Sequence, residues 1–466
     1  MAPLAAPSDD QPSEDPSSGE QTLDQLAEQA PVEQEDKPLL TLRDGLPPVI
    51  ETEPALRDYC AALAAGSGPV AIDAERASGY RYSSRAYLIQ LRREGAGTAL
   101  VDPIAFASLA TLQEALEGTE WILHAATQDL PCLAEVGLRP TSLFDTELAG
   151  RLLGYPRVGL ATLVETVLGF RLAKEHSAVD WSTRPLPEPW LDYAALDVEV
   201  LVELRDALAA ELVAAGKDDW ARQEFDALRS FRPAARVDAW RRTSGLHRVR
   251  GRRALGAVRA LWETRDQIAE QRDVTPGRII PDAAIVAAAQ AMPSDRGALL
   301  KTRGFHGRGA ERYASRWVAA LREAQEMAED DLPTRSPRGD GPPLPRAWAE
   351  KDPVAAKRLQ LAREEMAGLG EQHGMPVENL LTPDYLRRTL WTPPRTREPG
   401  TLLDEIAAQL AAYGARSWQI GLSAPVLTRA VLEADAARPA AGEAPVEGLP
   451  EDGSPEDGAA GPASGS

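Results

Sequence analysis

The apolar and polar positions of the chain divide its first half into short strands and helices. From residue 69 the sequence Pro-Val-Ala-Ile-Asp-Ala-Glu-Arg is a strand-like apolar run that turns charged at its end, with the length and flanks of a buried strand. A polar loop over 77–85 follows, then two more strands, Ala86 to Arg92 and Thr98 to Asp102. Glu94-Gly-Ala-Gly lies between them as the turn of an antiparallel pair. A helix near 55–65 precedes this group. A helix over 106–117, a strand ending at His124 and a helix running to Glu135 complete one αβ alternation. From Thr146 the spacing is helical, over 148–153, 160–168 and a long stretch of 189–214. The pattern predicts a mixed sheet flanked by helices.

Beyond Phe231 only helical periodicity remains, and it occurs twice. Leu261-Trp-Glu-Thr-Arg265-Asp and Ile279-Ile-Pro-Asp282 in the first stretch answer to Leu359-Gln-Leu-Ala-Arg363-Glu and Leu380-Leu-Thr-Pro-Asp384 in the second. The offset changes by one residue at Thr382, as an internal duplication with one insertion would produce. The second copy lacks a clear counterpart of Gly304-Phe305-His306-Gly307. A Pro- and Gly-rich stretch from Pro333 to Arg346 reads as the linker. The expected organisation is therefore an acidic tail (1–38), an α/β domain (39–232), a basic linker (233–250), a helical domain (251–330), a linker (331–346), a second helical domain (347–435) and an acidic tail (436–466).

Charge changes the picture only once it is located. The 466 residues carry a formal net charge of −20, which taken whole argues against a nucleic-acid partner. Residues 1–38 hold ten acids and one base, and residues 436–466 six acids and one base, so the tails account for −14 of it. Both are rich in Pro, Ser, Gly and Ala and are expected to be disordered. Between Arg236 and Arg265, by contrast, nine arginines face two acids, Asp238 and Glu263. The run is either a solvated linker and helix face or a phosphate-gripping surface. Cys60 and Cys132 form no disulfide or zinc pattern. With no run of about 18 apolar residues and no signal-peptide pattern, the protein is expected in the cytoplasm, away from membranes.

The chemistry starts at Asp73-Ala-Glu75. Two carboxylates spaced i, i+2 on a strand project to one face, as a cation site requires. Residues 124–130, His-Ala-Ala-Thr-Gln-Asp-Leu, add Asp129 after a strand end, and Tyr193-Ala-Ala-Leu-Asp197 places a phenol and a carboxylate one helical turn apart. In this order the three stretches resemble the exonuclease motifs of the DEDD superfamily, in the subclass with Tyr in the third motif. Lys174 and Asp180-Trp-Ser-Thr-Arg184-Pro-Leu resemble the ribonuclease D branch, and the first helical domain resembles the HRDC domain. The resemblance implies a ribonuclease H-like α/β catalytic domain followed by two all-α HRDC-like domains. It further implies a 3′→5′ exoribonuclease acting on RNA with a free 3′ end, tRNA precursors among them, and releasing 5′-mononucleotides; a monomer is also implied.

Phosphodiester hydrolysis of this kind uses two divalent cations about 3.5–4 Å apart. Hard Mg²⁺ or Mn²⁺ takes oxygen ligands and keeps several waters. By the resemblance, Asp73, Glu75 and Asp197 would hold one ion, Asp73 would bridge to the second, and Asp129 would act on that second ion directly or through water. Tyr193, with an ordinary pKa near 10, is expected to orient the attacking water rather than deprotonate it. His124 reads as a structural residue at a strand end. For RNA contacts the candidates are Gln90 along the cleft, Lys174 and Arg184 at backbone phosphates, with surface ion pairing as the competing reading, and Arg248, Arg250, Arg252 and Arg253 in the basic run. Two other functions remain open at this point: a 3′→5′ exonuclease that prefers DNA, and a catalytically silent RNA-binding scaffold.

Overall fold

The computed structural model describes residues 37–173, 178–233, 237–334 and 341–437. Of the two acidic tails, only residues 37–38 and 436–437 are among these. The chain opens with β1 (Val49–Ile50) and α1 (Glu53–Ala65), then the strands β2 (Ser67–Arg76), β3 (Ala86–Glu94) and β4 (Gly97–Val101). Next come α2 (Ala110–Ala115), β5 (Glu120–Leu123), α3 (Leu130–Glu135), β6 (Ser142–Asp145), α4 (Thr146–Leu153) and α5 (Leu160–Leu163), which runs on into a π-helical turn over Val164–Leu168. α6 (Glu188–Glu199), α7 (Leu201–Ala214) and α8 (Asp218–Arg229) close the α/β part.

The six strands form one mixed sheet in the order β1-β4-β3-β2-β5-β6. β3 and β4 pair antiparallel, as the glycine turn between them predicts, and β2 also pairs antiparallel with β3. β1 runs parallel to β4, and β5 and β6 run parallel to β2. β2 and β5 therefore end on the same edge, and Asp73, Glu75 and Asp129 all lie at or just beyond those ends. α6 covers one face of this region, with Ala194 and Ala195 buried against Leu88 of β3 and Leu100 of β4. Two alanines at this crossing let the helix come close to the sheet.

Two local expectations need correction. The helix expected over 106–117 is confined to Ala110–Ala115, because Asp102 caps a separate turn at Pro103–Ala105 by accepting from the Ile104 N–H. The long helix over 189–214 is two helices that break at Val200. There the Arg43 guanidinium takes the Glu199 carbonyl at 2.6 Å and the Glu199 carboxylate at 2.8 Å, so the backbone bond that would carry the helix through is given to a side chain. Strands β1 and β6 were not foreseen; two and four residues are too few to show a period.

The helical region begins with α9 (Arg252–Arg272), α10 (Asp282–Ala291), α11 (Arg296–Lys301), α12 (Arg308–Arg312) and α13 (Ala314–Glu326). It continues as α14 (Trp348–Lys351), α15 (Pro353–His373), α16 (Val377–Leu380), α17 (Pro383–Trp391), α18 (Pro399–Tyr413) and α19 (Ser417–Ala436). α9 and α15 are each 21 residues long, and each leads through a short turn to a helix of about the same length, α10 with 10 residues and α17 with 9. The repeated motif thus folds into repeated geometry at its start.

The two helical units attach to the catalytic domain differently. α9 to α13 bury a core of their own around Leu261, Phe305 and Trp317. This unit meets the loop that follows β2: the Tyr82 hydroxyl donates to Asp266 at 3.0 Å, the Ser83 N–H to Asp273 at 2.8 Å and the Thr275 N–H to the Tyr80 carbonyl at 3.1 Å. The C-terminal unit instead shares the core of the sheet domain, with Leu208 and Phe225 on one side and Leu359, Trp418 and Leu427 on the other.

Candidate active site

β2 carries Asp73 and Glu75 to one face of the sheet, and α6, lying across it, presents Tyr193 and Asp197 from a single turn. Carboxylate oxygens of Asp73, Glu75 and Asp197 all lie within 4.8 Å of one another. Asp129 lines the same cleft. Its position is set by the turn after β5, where Ala125 takes a left-handed backbone at φ +60° and ψ +53°, an unfavourable conformation for a residue with a Cβ. Asp145 holds this turn. Its buried carboxylate accepts from the Ala125 N–H at 3.1 Å, the Ala126 N–H at 2.8 Å and the Leu148 N–H at 3.1 Å. One carboxylate thus caps α4 and fixes the turn that delivers Asp129. Asp145 was missed at the sequence level, although an Asp directly before the helix expected from Thr146 is a visible N-cap signal.

The four acids share a cleft of about 420 Å³ whose other lining residues include His124, Gln128, Leu160 and Leu172. Burial raises the proton affinity of all four. For Glu75, burial together with Asp73, Asp197 and Asp129 pushes the carboxyl up to about 10. A group of carboxylates this close takes protons or takes cations. Their donor set is all oxygen, as hard divalent ions require, so the residues present fit the implied metal. Tyr193 donates its hydroxyl to Asp197, and burial and the neighbouring carboxylates push the phenol far above its ordinary range. His124 is also held neutral, lowered by burial to about 4, and its Nδ1 lies 2.9 Å from the Thr146 hydroxyl.

The other expected RNA-binding residues fare differently. Lys174 lies outside the described residues. Gln90 is fully buried opposite Asp73 in the β2–β3 ladder, so it faces no RNA. Arg184 spends all five of its N–H donors inside the protein, on both oxygens of Asp102 and on the carbonyls of Tyr87, Trp181 and Thr183. It is a clamp between β3, the turn after β4 and the segment before α6. In the basic run, Arg253 binds the carbonyls of Ala324, Gln325 and Met327 at the end of α13, together with Glu329, and Arg252 binds the Leu332 carbonyl. Cations at a helix C-terminus satisfy its orphan carbonyls, so these two arginines close the helical unit. Arg248 and Arg250 are exposed.

Comparison with known proteins gives three family matches. Residues 47–213 match a 3′-5′ exonuclease model, residues 254–321 the HRDC domain, and residues 341–431 a 3′ to 5′ exonuclease C-terminal domain. Ribonuclease D of Zymomonas mobilis is 30% identical over 352 residues, spanning 71% of this chain and 89% of that protein. A solved structure of a Bifidobacterium adolescentis protein superposes with a TM-score of 0.77 at 38% identity, covering 85% of this chain and 100% of that one. The structure of Escherichia coli RNase D, an exoribonuclease involved in structured RNA processing, gives a TM-score of 0.58 at 26% identity, covering 79% and 99%.

Proposed function

From the premise that this chain belongs to the ribonuclease D family, we propose that the four-acid cleft at the ends of β2 and β5 is its active site. The protein is a divalent-metal-dependent 3′→5′ exoribonuclease, and RNA 3′ ends, including those of tRNA precursors, are its proposed substrates. The reading is carried by one observation: the carboxylates of Asp73, Glu75 and Asp197 converge within 4.8 Å, an arrangement that only bound cations or protons make favourable.

Asp73, Glu75 and Asp197 would hold one divalent ion, and Asp73 and Asp129 the other, with Mg²⁺ or Mn²⁺ as the proposed ions. Bound there, the ions lower the pKa of the attacking water and neutralise charge at the phosphorus and the leaving oxygen. The chain supplies position. Tyr193 anchors its hydroxyl on Asp197 and lines the same cleft as the four acids, where it can orient that water. Asp145, through the Ala125 turn, fixes Asp129. The proposed working form is a monomer in the cytoplasm; no helix among the described residues is long and apolar enough to cross a membrane.

The test is a time course on a 5′-labelled RNA with a single-stranded 3′ tail, with Mg²⁺ or Mn²⁺ and again with EDTA. A metal-dependent ladder that shortens one nucleotide at a time is expected. Equal or faster cleavage of the matched DNA would reassign the substrate, and a gel shift without cleavage under either ion would leave a binding scaffold.

For RNA grip, the basic run now divides. Replacing Arg248 and Arg250 together is expected to reduce the slope of log K against log salt by about 1–2, roughly one for each phosphate no longer neutralised. Replacing Arg253 is expected to leave the slope alone and lower the unfolding temperature of the helical unit. An unchanged slope in the double variant would make the run purely structural.

A further inference from the structure

Within the acid cleft, Asp129 pairs with a cation of the chain itself. Arg76 follows Glu75 directly at the end of β2, and its Nη2 stands 3.7 Å from Asp129 Oδ1. Strict alternation would turn Arg76 away from the face that carries Asp73 and Glu75. The ladder with β3 shifts register between Glu75 and Arg76, and an irregularity of this kind re-aims a side chain at the end of a strand. The guanidinium comes to line the acid cleft.

Three features make this pair more than a surface ion bridge. Asp129 precedes α3 but its side chain makes no capping bond there, so its carboxylate has no duty to the helix. Asp73, Glu75 and Asp197 converge without Asp129; the acid left outside that group is the one with an internal cation beside it. Arg76 also borders an adjoining recess formed with Ser78, Gly79, Tyr80, Ala178 and Val179. Its side chain is 28% exposed and borders both the cleft and that recess.

We propose that Arg76 occupies the cation position beside Asp129 in the metal-free protein, and that loading of a divalent ion there requires the guanidinium to swing into the adjoining recess. The inference rests on the two-cation reading above. Two unequal sites follow from it. The position held by Asp73, Glu75 and Asp197 has no ion pair with Arg76 to break, whereas the one at Asp129 fills in direct competition with it.

The experiment is Mn²⁺ binding to the full-length protein without RNA, followed by calorimetry and by the electron paramagnetic resonance signal of free Mn²⁺. The wild type is expected to show a tight and a weak class. Arg76→Gln should tighten the weak class by roughly three- to tenfold, the size of a partly buried charge coupling, and move the tight class less. Arg76→Lys, which keeps the charge, should stay near the wild type. If Arg76→Gln folds poorly, Arg76→Met carries the same expectation. A weak class that is unchanged or weaker in the neutral variants overturns the role of Arg76. A wild type that binds no Mn²⁺ at all removes the two-cation reading, and this inference with it.

Discussion

Replacing Asp73 by Asn abolishes turnover of RNA, lowering kcat by about 10³-fold or more, while leaving RNA binding largely unchanged. The expectation follows from position. Asp73 sits at the end of the central strand, in the group that converges with Glu75 and Asp197, and by the proposed assignment it touches both ions. Losing one preorganised electrostatic contributor in an active site commonly costs about 10²–10³ in rate; losing a shared ligand removes the nucleophile's activation as well. A factor of 10³ is about 4 kcal/mol of transition-state stabilisation. The amide is nearly isosteric, so the fold is retained. The metal-free variant should unfold at a temperature no lower than the wild type, since one of several buried, mutually repelling acids has been neutralised. Single-turnover cleavage, a gel shift and thermal unfolding of the same preparation decide the matter. A variant with full activity would remove the proposed assignment of Asp73, and a variant that no longer binds RNA would show that the acid organises the substrate surface instead.

What could be read from the sequence was what depends on near neighbours in the chain. The β3–β4 pair follows from two strand-like runs joined by a glycine turn, and the shared face of Asp73 and Glu75 follows from strand geometry alone. Tyr193 and Asp197 are neighbours by helical spacing. What could not be read depends on partners far along the chain. Arg43 breaks the helix at Val200 from 156 residues away. Arg184 and Asp102, 82 residues apart, look like separate surface charges until the fold pairs them. Arg252 and Arg253 look like phosphate ligands because a run of arginines does not reveal that the carbonyls near 324–332 are waiting for them. Gln90 is fully buried although it pairs directly with Asp73 of the cleft, and periodicity cannot tell a covered position from an open one on the same ladder. The duplicated helical pattern likewise shows which faces are apolar but not which partner covers them: α9 to α13 bury their own core, whereas the C-terminal unit is fused to the catalytic domain.

That fusion makes Gly154→Ala the most damaging small substitution expected outside the cleft. Gly154 ends α4 at φ +82°, and a Cβ there would lie 1.8 Å from the Gly374 carbonyl oxygen at the end of α15. The two helix C-termini meet end to end, and their negative ends are joined by one ammonium: buried Lys217 donates to the Leu152 carbonyl and to the His373 carbonyl, each at 2.7 Å. Trp220 stacks on Trp418 with ring centroids 4.7 Å apart beside this junction, and Trp418 Nε1 donates to Glu224 at 3.0 Å. A methyl group cannot be admitted unless the backbones separate by more than about 1 Å, and separation stretches both lysine bonds and opens the stacked pair. The cost should reach about 3 kcal/mol or more, combining overpacking with a left-handed backbone that Ala disfavours. Gly374→Ala is the matched control. Gly374 is also left-handed, at φ +59°, but a Cβ there meets nothing within 4 Å, so it should cost only the conformational term of about 1–2 kcal/mol. Thermal unfolding of the two variants separates steric from conformational cost. A clearly lower midpoint for Gly154→Ala, with early proteolysis between the catalytic and C-terminal units, is the expected result. Equal midpoints would mean that the two helix ends are not held against each other, and that the C-terminal unit is tethered rather than fused.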